Sequence, residues 1–172
     1  GKEYTVSGKL MDKDTGKALL VNGKEITATT TFKPTAKDGT VDLTYKLDAS
    51  VLEDKTVVVF EDLIHNKINV TSHADINDEE QSVHYPKVRT TAKDHSTKDD
   101  VGTSSKEARL VDTVSYSNLI VGQKYTIKGT LMDKETGKAI EQNGKAVTAE
   151  TSFTATAAQG SVDLTFVYAV SY

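Results

Sequence analysis

The chain repeats itself once, at an offset of 121 residues. GKEYTVSGKLMDKDTGKALLVNGKEITATTTF, starting at Gly1, returns without a gap as GQKYTIKGTLMDKETGKAIEQNGKAVTAETSF from Gly122, with about half of the aligned positions identical. The match runs on through GTVDLTY (Gly39 to Tyr45) and GSVDLTF (Gly160 to Phe166). A period this long describes tandem domains, because solenoid units run to roughly 20–50 residues. It also divides the 172 residues unevenly: Leu52 to Pro86 and Lys87 to Val121 each occur once. The expectation is a boundary near Pro86. Residues 1–86 would be the larger, C-terminal part of one module and residues 87–172 the N-terminal part of the next, both truncated, as in an excerpt from a longer protein.

Residue usage points to strands. The chain has 24 Thr and 18 Val, and branching at Cβ suits a pleated surface better than a helix. Apolar residues reach 37% and aromatics 6%, low for one thick core and suited to small modules. Cysteine is absent, which excludes disulfides and thiolate metal sites. A net charge of −4 from 21 basic and 25 acidic residues argues against nucleic acid or an anionic membrane as partner. No apolar run approaches the roughly 18 residues of a membrane span, so no membrane insertion is expected in this segment.

Within each copy the pattern is strand and turn. Tyr4, Val6, Gly8 and Leu10 alternate with polar residues, as in a half-buried strand. Asp14, Thr15 and Gly16 supply a turn, and Asn22-Gly23 is a hairpin signal before Ile26. Gly39 opens a further strand, Val41 to Leu47. Thr56 to Phe60 is a continuous apolar run, as in a strand buried on both faces. Gln81-Ser82-Val83 reads as another strand, and Lys93 to Glu107 as a polar loop. Short strands at this spacing, with turn chemistry between them, predict an all-β chain of tandem immunoglobulin-like sandwiches.

No standard catalytic motif is present. There is no GxSxG elbow, P-loop or GxGxxG. His65, His73, His84 and His95 form neither HxH nor HExxH, so no metal or cofactor is expected. The acidic run Asp75 to Glu80 lacks the glycine-centred loop of an EF-hand and reads as a solvated turn. A few polar residues nevertheless sit awkwardly. Glu61 shares strand parity with Val57 and Val59, and Asp112 with Leu110 and Val114. His73 and Gln81 flank the acidic turn. Singly, each has an ordinary reading: Glu61 an edge carboxylate, Asp112 an Asx turn before Thr113, His73 and Gln81 exposed turn residues.

Together they carry a resemblance. VVFE at Val58 to Glu61, HADINDEEQSV from His73, VRTTAKD from Val88 and VDTVSY from Val111 resemble the VaFE-repeat domains of Gram-positive surface adhesins. The GxxYTxxGxLMDKxTG segment, present after Gly1 and again after Gly122, resembles the same family. The resemblance implies an Ig-like sandwich that forms an internal ester between a threonine on its first strand and a glutamine on its last. By motif position the threonine is Thr90, with its neighbour Thr91 as the alternative hydroxyl, and the glutamine is Gln81. The assisting acids are Asp112 and Glu61, and His73 is the imidazole that handles the proton.

The chemistry suits these residue types. An imidazole within hydrogen-bond reach takes the hydroxyl proton as attack begins. Two adjacent buried carboxyls cannot both ionise comfortably, so one keeps a proton and donates it to the amide oxygen. Ammonia leaves in a single turnover, so the chain is expected not to be an enzyme. A bond of this kind would restrict the unfolded chain as a long-loop disulfide does, by about 4–5 kcal/mol in the entropy model.

In the 121-residue frame, Thr90 and Gln81 belong to neighbouring units. The first unit's own Thr and Asp would precede Gly1, and the second unit's own Glu, His and Gln would follow Tyr172. The expected partners are therefore neighbouring repeats, or strands exchanged with another copy, with any host ligand bound elsewhere in the protein. The expected location is the Gram-positive cell wall. Two other readings remain open: an Ig-like module binding a host protein or glycan, and a pilin-type stalk domain with a Lys–Asn isopeptide bond.

Overall fold

The computed structural model describes residues 1–169, and the chain divides into two compact units between Tyr85 and Pro86. The architecture is all-β. Among the described residues the only helical elements are two short 3-10 turns, and no helix is long and apolar enough to cross a membrane.

The first unit contains β1 (Tyr4–Asp12), β2 (Lys17–Ala18), β3 (Leu20–Val21), β4 (Lys24–Glu25), β5 (Thr27–Phe32), β6 (Thr56–His65), β7 (Ile68–His73) and β8 (Ser82–His84). Its main sheet runs β2-β1-β6-β7, with β5 also pairing β1 and β8 pairing β6. The expected alternation is realised in the register, which sets Val6, Gly8 and Leu10 opposite Leu63, Glu61 and Val59. That face builds the core: Leu10, Leu19, Leu52 and Val57 are buried, with Ile26, Tyr45, Leu47, Val59 and Tyr85 packed against them. Burying a Leu or Val side chain contributes about 1.5–3 kcal/mol.

The second unit contains β9 (Lys87–Asp94), β10 (Glu107–Ser117), β11 (Lys124–Thr130), β12 (Glu141–Gln142), β13 (Lys145–Ala146), β14 (Thr148–Thr154) and β15 (Gly160–Ala169). A three-stranded sheet β15-β10-β9 and a two-stranded pair β11-β14 share one core. It is formed by Val114, Val147, Leu164 and Phe166, against which Leu110, Ile127 and Ala149 pack.

Two sequence expectations are corrected. Val41–Leu47 is not a strand, although its burial still alternates along the segment. Its counterpart in the second unit lies in β15, which is registered against β10 from Tyr116↔Gly160 to Glu107↔Ala169. No β10-like strand stands beside Val41–Leu47 among the described residues. A segment with strand-compatible residues becomes a strand only when a neighbour completes its ladder. The second correction is at Gln81, which ends the 3-10 turn Glu79–Gln81, so that the strand starts at Ser82.

The LMDKxTG segment builds the same turn twice. Asp12 Oδ1 accepts from the amides of Asp14 and Thr15 at 3.0 and 3.4 Å, and Gly16 N–H donates to the Asp12 carbonyl at 2.9 Å. Asp133 repeats this with Glu135 and Thr136, both at 2.9 Å, and with Gly137. Gly16 and Gly137 have φ of 66° and 67°, the left-handed region that glycine enters without steric cost. A third such turn starts at Asp94, whose Oδ1 accepts from Ser96 at 2.7 Å and Thr97 at 3.1 Å.

Candidate functional site

In the first unit the site is built on β6 and its neighbours. Glu61 lies opposite Gly8 on one side and opposite His73 on the other, so the carboxylate and the imidazole share the inner face with Val57 and Val59. This agrees with the parity reading of Glu61 and rules out a strand-end position for it. His73 is 55% exposed, and its Nε2–H donates to Asp78 Oδ2 at 2.7 Å. A neutral ring that donates through Nε2 carries its lone pair on Nδ1.

Gln81 follows within the same turn. Its amide donates to the Asp78 carbonyl at 3.3 Å, and its side-chain Oε1 is buried with no hydrogen-bond partner. The Tyr45 hydroxyl is likewise buried and unpartnered. Burial, then the charge of Glu61, pushes the Tyr45 phenol up to about 12, so it remains a donor at neutral pH. An ideal Cβ on Gly8 would lie 1.8 Å from this hydroxyl: only a glycine lets the tyrosine approach the sheet beside Glu61. A groove of about 850 Å³, lined by Tyr4, Phe32, Val41, Glu61, Leu63 and Val70 among others, runs along this face.

In the second unit the register sets Thr90 opposite Val114 and Ala92 opposite Asp112. Two-residue periodicity then places Thr90 and Asp112 on the inner face with buried Val114. Asp112 therefore lies within a strand and not at an Asx turn. Burial raises its carboxyl above the ordinary value, against the opposing effect of the hydrogen bond from the Thr90 hydroxyl. Oδ1 of the same carboxyl is buried without a partner. Thr91 faces the other way, opposite Thr113, and lines an outer cavity with Lys93, Val111 and Asp163. Of the two candidate hydroxyls, only Thr90 shares the inner face with a candidate acid.

The structure thus gathers Glu61, His73 and Gln81 within the first unit, and Thr90 with Asp112 within the second. His65 and His84 have separate partners. His65 Nδ1–H donates to the Glu3 carbonyl at 2.7 Å. His84 pairs with Thr56 at 3.1 Å and with Glu79 at 2.9 Å. Among the described residues no group of three His, Cys, Asp or Glu side chains is arranged to hold a metal ion. The acidic run is a capped turn: Asp75 Oδ1 accepts from Asn77 and Asp78 Oδ1 from Glu80, each at 2.9 Å. Sequence reasoning passed over Asp78 and Tyr45. Asp78 stood within a run read as solvated, although an Asp just ahead of Glu79 and Glu80 is an N-cap signal. Tyr45 stood among ordinary alternating core positions.

Comparison with curated proteins found no match. The family described as T-Q ester bond containing domain matches residues 1–85 and again residues 86–171. With both halves matched, the chain belongs to the T-Q ester bond containing domains and carries two of them in tandem.

Proposed function

We propose that the two units are stalk modules of a Gram-positive cell-wall-anchored adhesin, each stabilised by an autocatalytic Thr–Gln ester that resists force and proteolysis. Domains of this family are typical of bacterial surface protein stalks and are generally non-enzymatic. The observation that most supports the ester is the pair of buried, unpartnered atoms, Gln81 Oε1 and Asp112 Oδ1. A buried polar atom without a partner costs about 1–3 kcal/mol, and each of these belongs to a group that the reaction needs. The side chain with the buried, unpartnered carbonyl oxygen is a glutamine and not an asparagine, which favours the ester over an isopeptide bond.

In this reading a threonine placed as Thr90 is delivered to an amide placed as Gln81. The hydroxyl oxygen attacks the amide carbon while its proton passes to the imidazole placed as His73. Asp112, already biased toward its protonated form by burial, stabilises the developing oxyanion together with Glu61. The C–N bond then breaks, the proton goes to the departing nitrogen, and ammonia leaves behind the ester. Neighbouring repeats supply the complementary strands, and exchange with another copy is a second source. Any host ligand is bound by other parts of the protein.

The test extends the chain with a second Lys87–Val121 placed ahead of Gly1, which gives the first unit its own β9 and β10 sequence. Intact mass should fall by one ammonia, and hydroxylamine should cleave the new bond. The loss should vanish with Gln81→Ala, or with Ala at the added copy of Thr90. An unchanged mass in the extended chain would leave an ordinary β-domain.

A further inference from the structure

We infer that Tyr45 is a positioning residue for the ester reaction: its hydroxyl occupies the place of a Gly8 side chain and holds the carboxyl of Glu61 once the unit is completed. The inference rests on the ester reading and adds to it a hydroxyl that only the first unit carries.

Three residues form a row across the first unit's sheet. Gly8 on β1 is directly opposite Glu61 on β6, and Glu61 is directly opposite His73 on β7. Neighbouring strands lie about 4.8 Å apart, so the carboxyl in the middle of the row has the imidazole on one side. On the other side Gly8 contributes no side chain, and the Tyr45 hydroxyl takes its place, 1.8 Å from where a Cβ would be. The Cβ atoms of directly opposed residues are about 4.5–5.5 Å apart. Rotation of the Glu61 side chain is therefore enough to bring its carboxyl to that hydroxyl.

Packing alone does not require the hydroxyl. It is buried without a hydrogen-bond partner, which destabilises a fold. It stays a donor, because burial and the charge of Glu61 push the phenol up to about 12. A phenylalanine would fill the same space without that cost, and the second unit has one. Phe166 matches Tyr45 in the repeat and Gly129 matches Gly8; a Cβ on Gly129 would meet Phe166 Cζ at 2.6 Å. The ring over the glycine is thus common to both units. The oxygen is an addition confined to the unit that contains Glu61, His73 and Gln81.

That oxygen suits one task. A hydroxyl donating to one oxygen of the Glu61 carboxyl from the β1 side fixes its rotamer before a threonine arrives. The other carboxyl oxygen is left for the proton that the two acids share. Tyr45 transfers no proton and forms no bond to the amide; it acts through Glu61.

Tyr45→Phe removes the oxygen and keeps the ring, giving the first unit the residue with which the second already folds. In the extended chain used above, the variant should form ester about 10–100-fold more slowly, the effect of losing one hydrogen bond to a charged group. In the parent chain, where the hydroxyl has no partner, the variant's melting temperature should be no lower than the parent's. Infrared spectra read Glu61 directly. The sample is the extended chain with Ala at the added copy of Thr90, which cannot react, and with isotope-labelled glutamate carboxyls. There Tyr45→Phe should move a carboxyl band, and the difference should vanish when both spectra are taken with Glu61→Gln. An unchanged ester rate, or an unchanged Glu61 band, overturns the proposal. So does a melting temperature that falls in the parent chain, which would make the hydroxyl a structural group. If the extended chain with Tyr45 in place forms no ester at all, the reading under Proposed function fails, while the infrared difference still decides whether Tyr45 holds Glu61.

Discussion

Val41–Leu47 and its counterpart within β15 differ in fold more than in sequence. VDLTY and VDLTF are nearly identical, yet only the second is a strand, and it is the one with β10 beside it. A second contrast runs the other way. In the first unit β1 is paired on both sides, with β5 and β6, and Met11 is 7% exposed. In the second, among the described residues, β11 pairs only with β14, and the matching Met132 is 54% exposed. The methionine of the same LMD tripeptide is thus core in one unit and surface in the other. Neighbouring strands, and not the residues themselves, decide both outcomes, as expected when strand preference reflects fit to a half-buried pleat.

The sharpest way to break that comparison is to supply the partner. In the extended chain, the amides of Val41–Leu47 should exchange at least about 100-fold more slowly than in the parent, the protection that a local opening cost near 3 kcal/mol provides. Unchanged exchange would show that the segment's own residues, after all, keep it from pairing.

A smaller effect is expected at the two glycines beneath the aromatic rings. A Cβ on Gly8 would meet the Tyr45 hydroxyl at 1.8 Å, and a Cβ on Gly129 would meet the Phe166 ring at 2.6 Å. Each Gly→Ala change should destabilise its own unit by about 1–3 kcal/mol, as overpacking does. Adding Tyr45→Phe should recover part of the loss in the first unit, since it removes the atom that collides. Denaturant melts of the single and double variants would measure this, and full additivity would argue against the contact.

The smallest effect is electrostatic. Asp12 is buried and accepts from Lys55 Nζ at 2.8 Å. Burial raises its pKa, but the Lys55 hydrogen bond and the amides of Thr15 and Asp14 outweigh it, leaving the folded value below the free value of 3.8. The stabilisation is therefore complete above 3.8 and disappears as pH falls through the lower, folded value. Asp12→Asn should cost about 1 kcal/mol at pH 7 and progressively less as the pH falls below 3.8. Asp133 has no lysine partner among the described residues, so Asp133→Asn should cost less. Equal losses at the two positions would remove Lys55 from the account.

Much of this was legible in the residues, for reasons that also explain the gaps. The 121-residue repeat and the period-2 alternation of Tyr4 to Leu10 are local patterns, and they describe β1 directly. The parity of Glu61 with Val59, and of Asp112 with Val114, anticipated two inner-face acids, because strand periodicity carries side-chain direction with it. Parity could not separate the roles of Thr90 and Thr91. The register of β9 on β10 sends them to opposite faces and gives Asp112 to Thr90 alone. Strand formation at Val41–Leu47 was misread because it depends on a neighbour distant in sequence. Asp78 was hidden for the opposite reason: a run with four carboxylates among six residues conceals which of them bonds inward, and only the bend of the turn toward β7 makes the choice.

Thr90 is exposed along the open side of β9, while the oxygen of the Gln81 amide is concealed. A hydroxyl open to solvent competes for water as well as for Asp112, and hydration lowers its tendency to attack anything. In the proposed reaction, whatever comes to lie over it would strip that hydration away and bring the acceptor in the same movement. Assembly and reaction would then be one event, and each finished bond a permanent record that two surfaces had met in the right order.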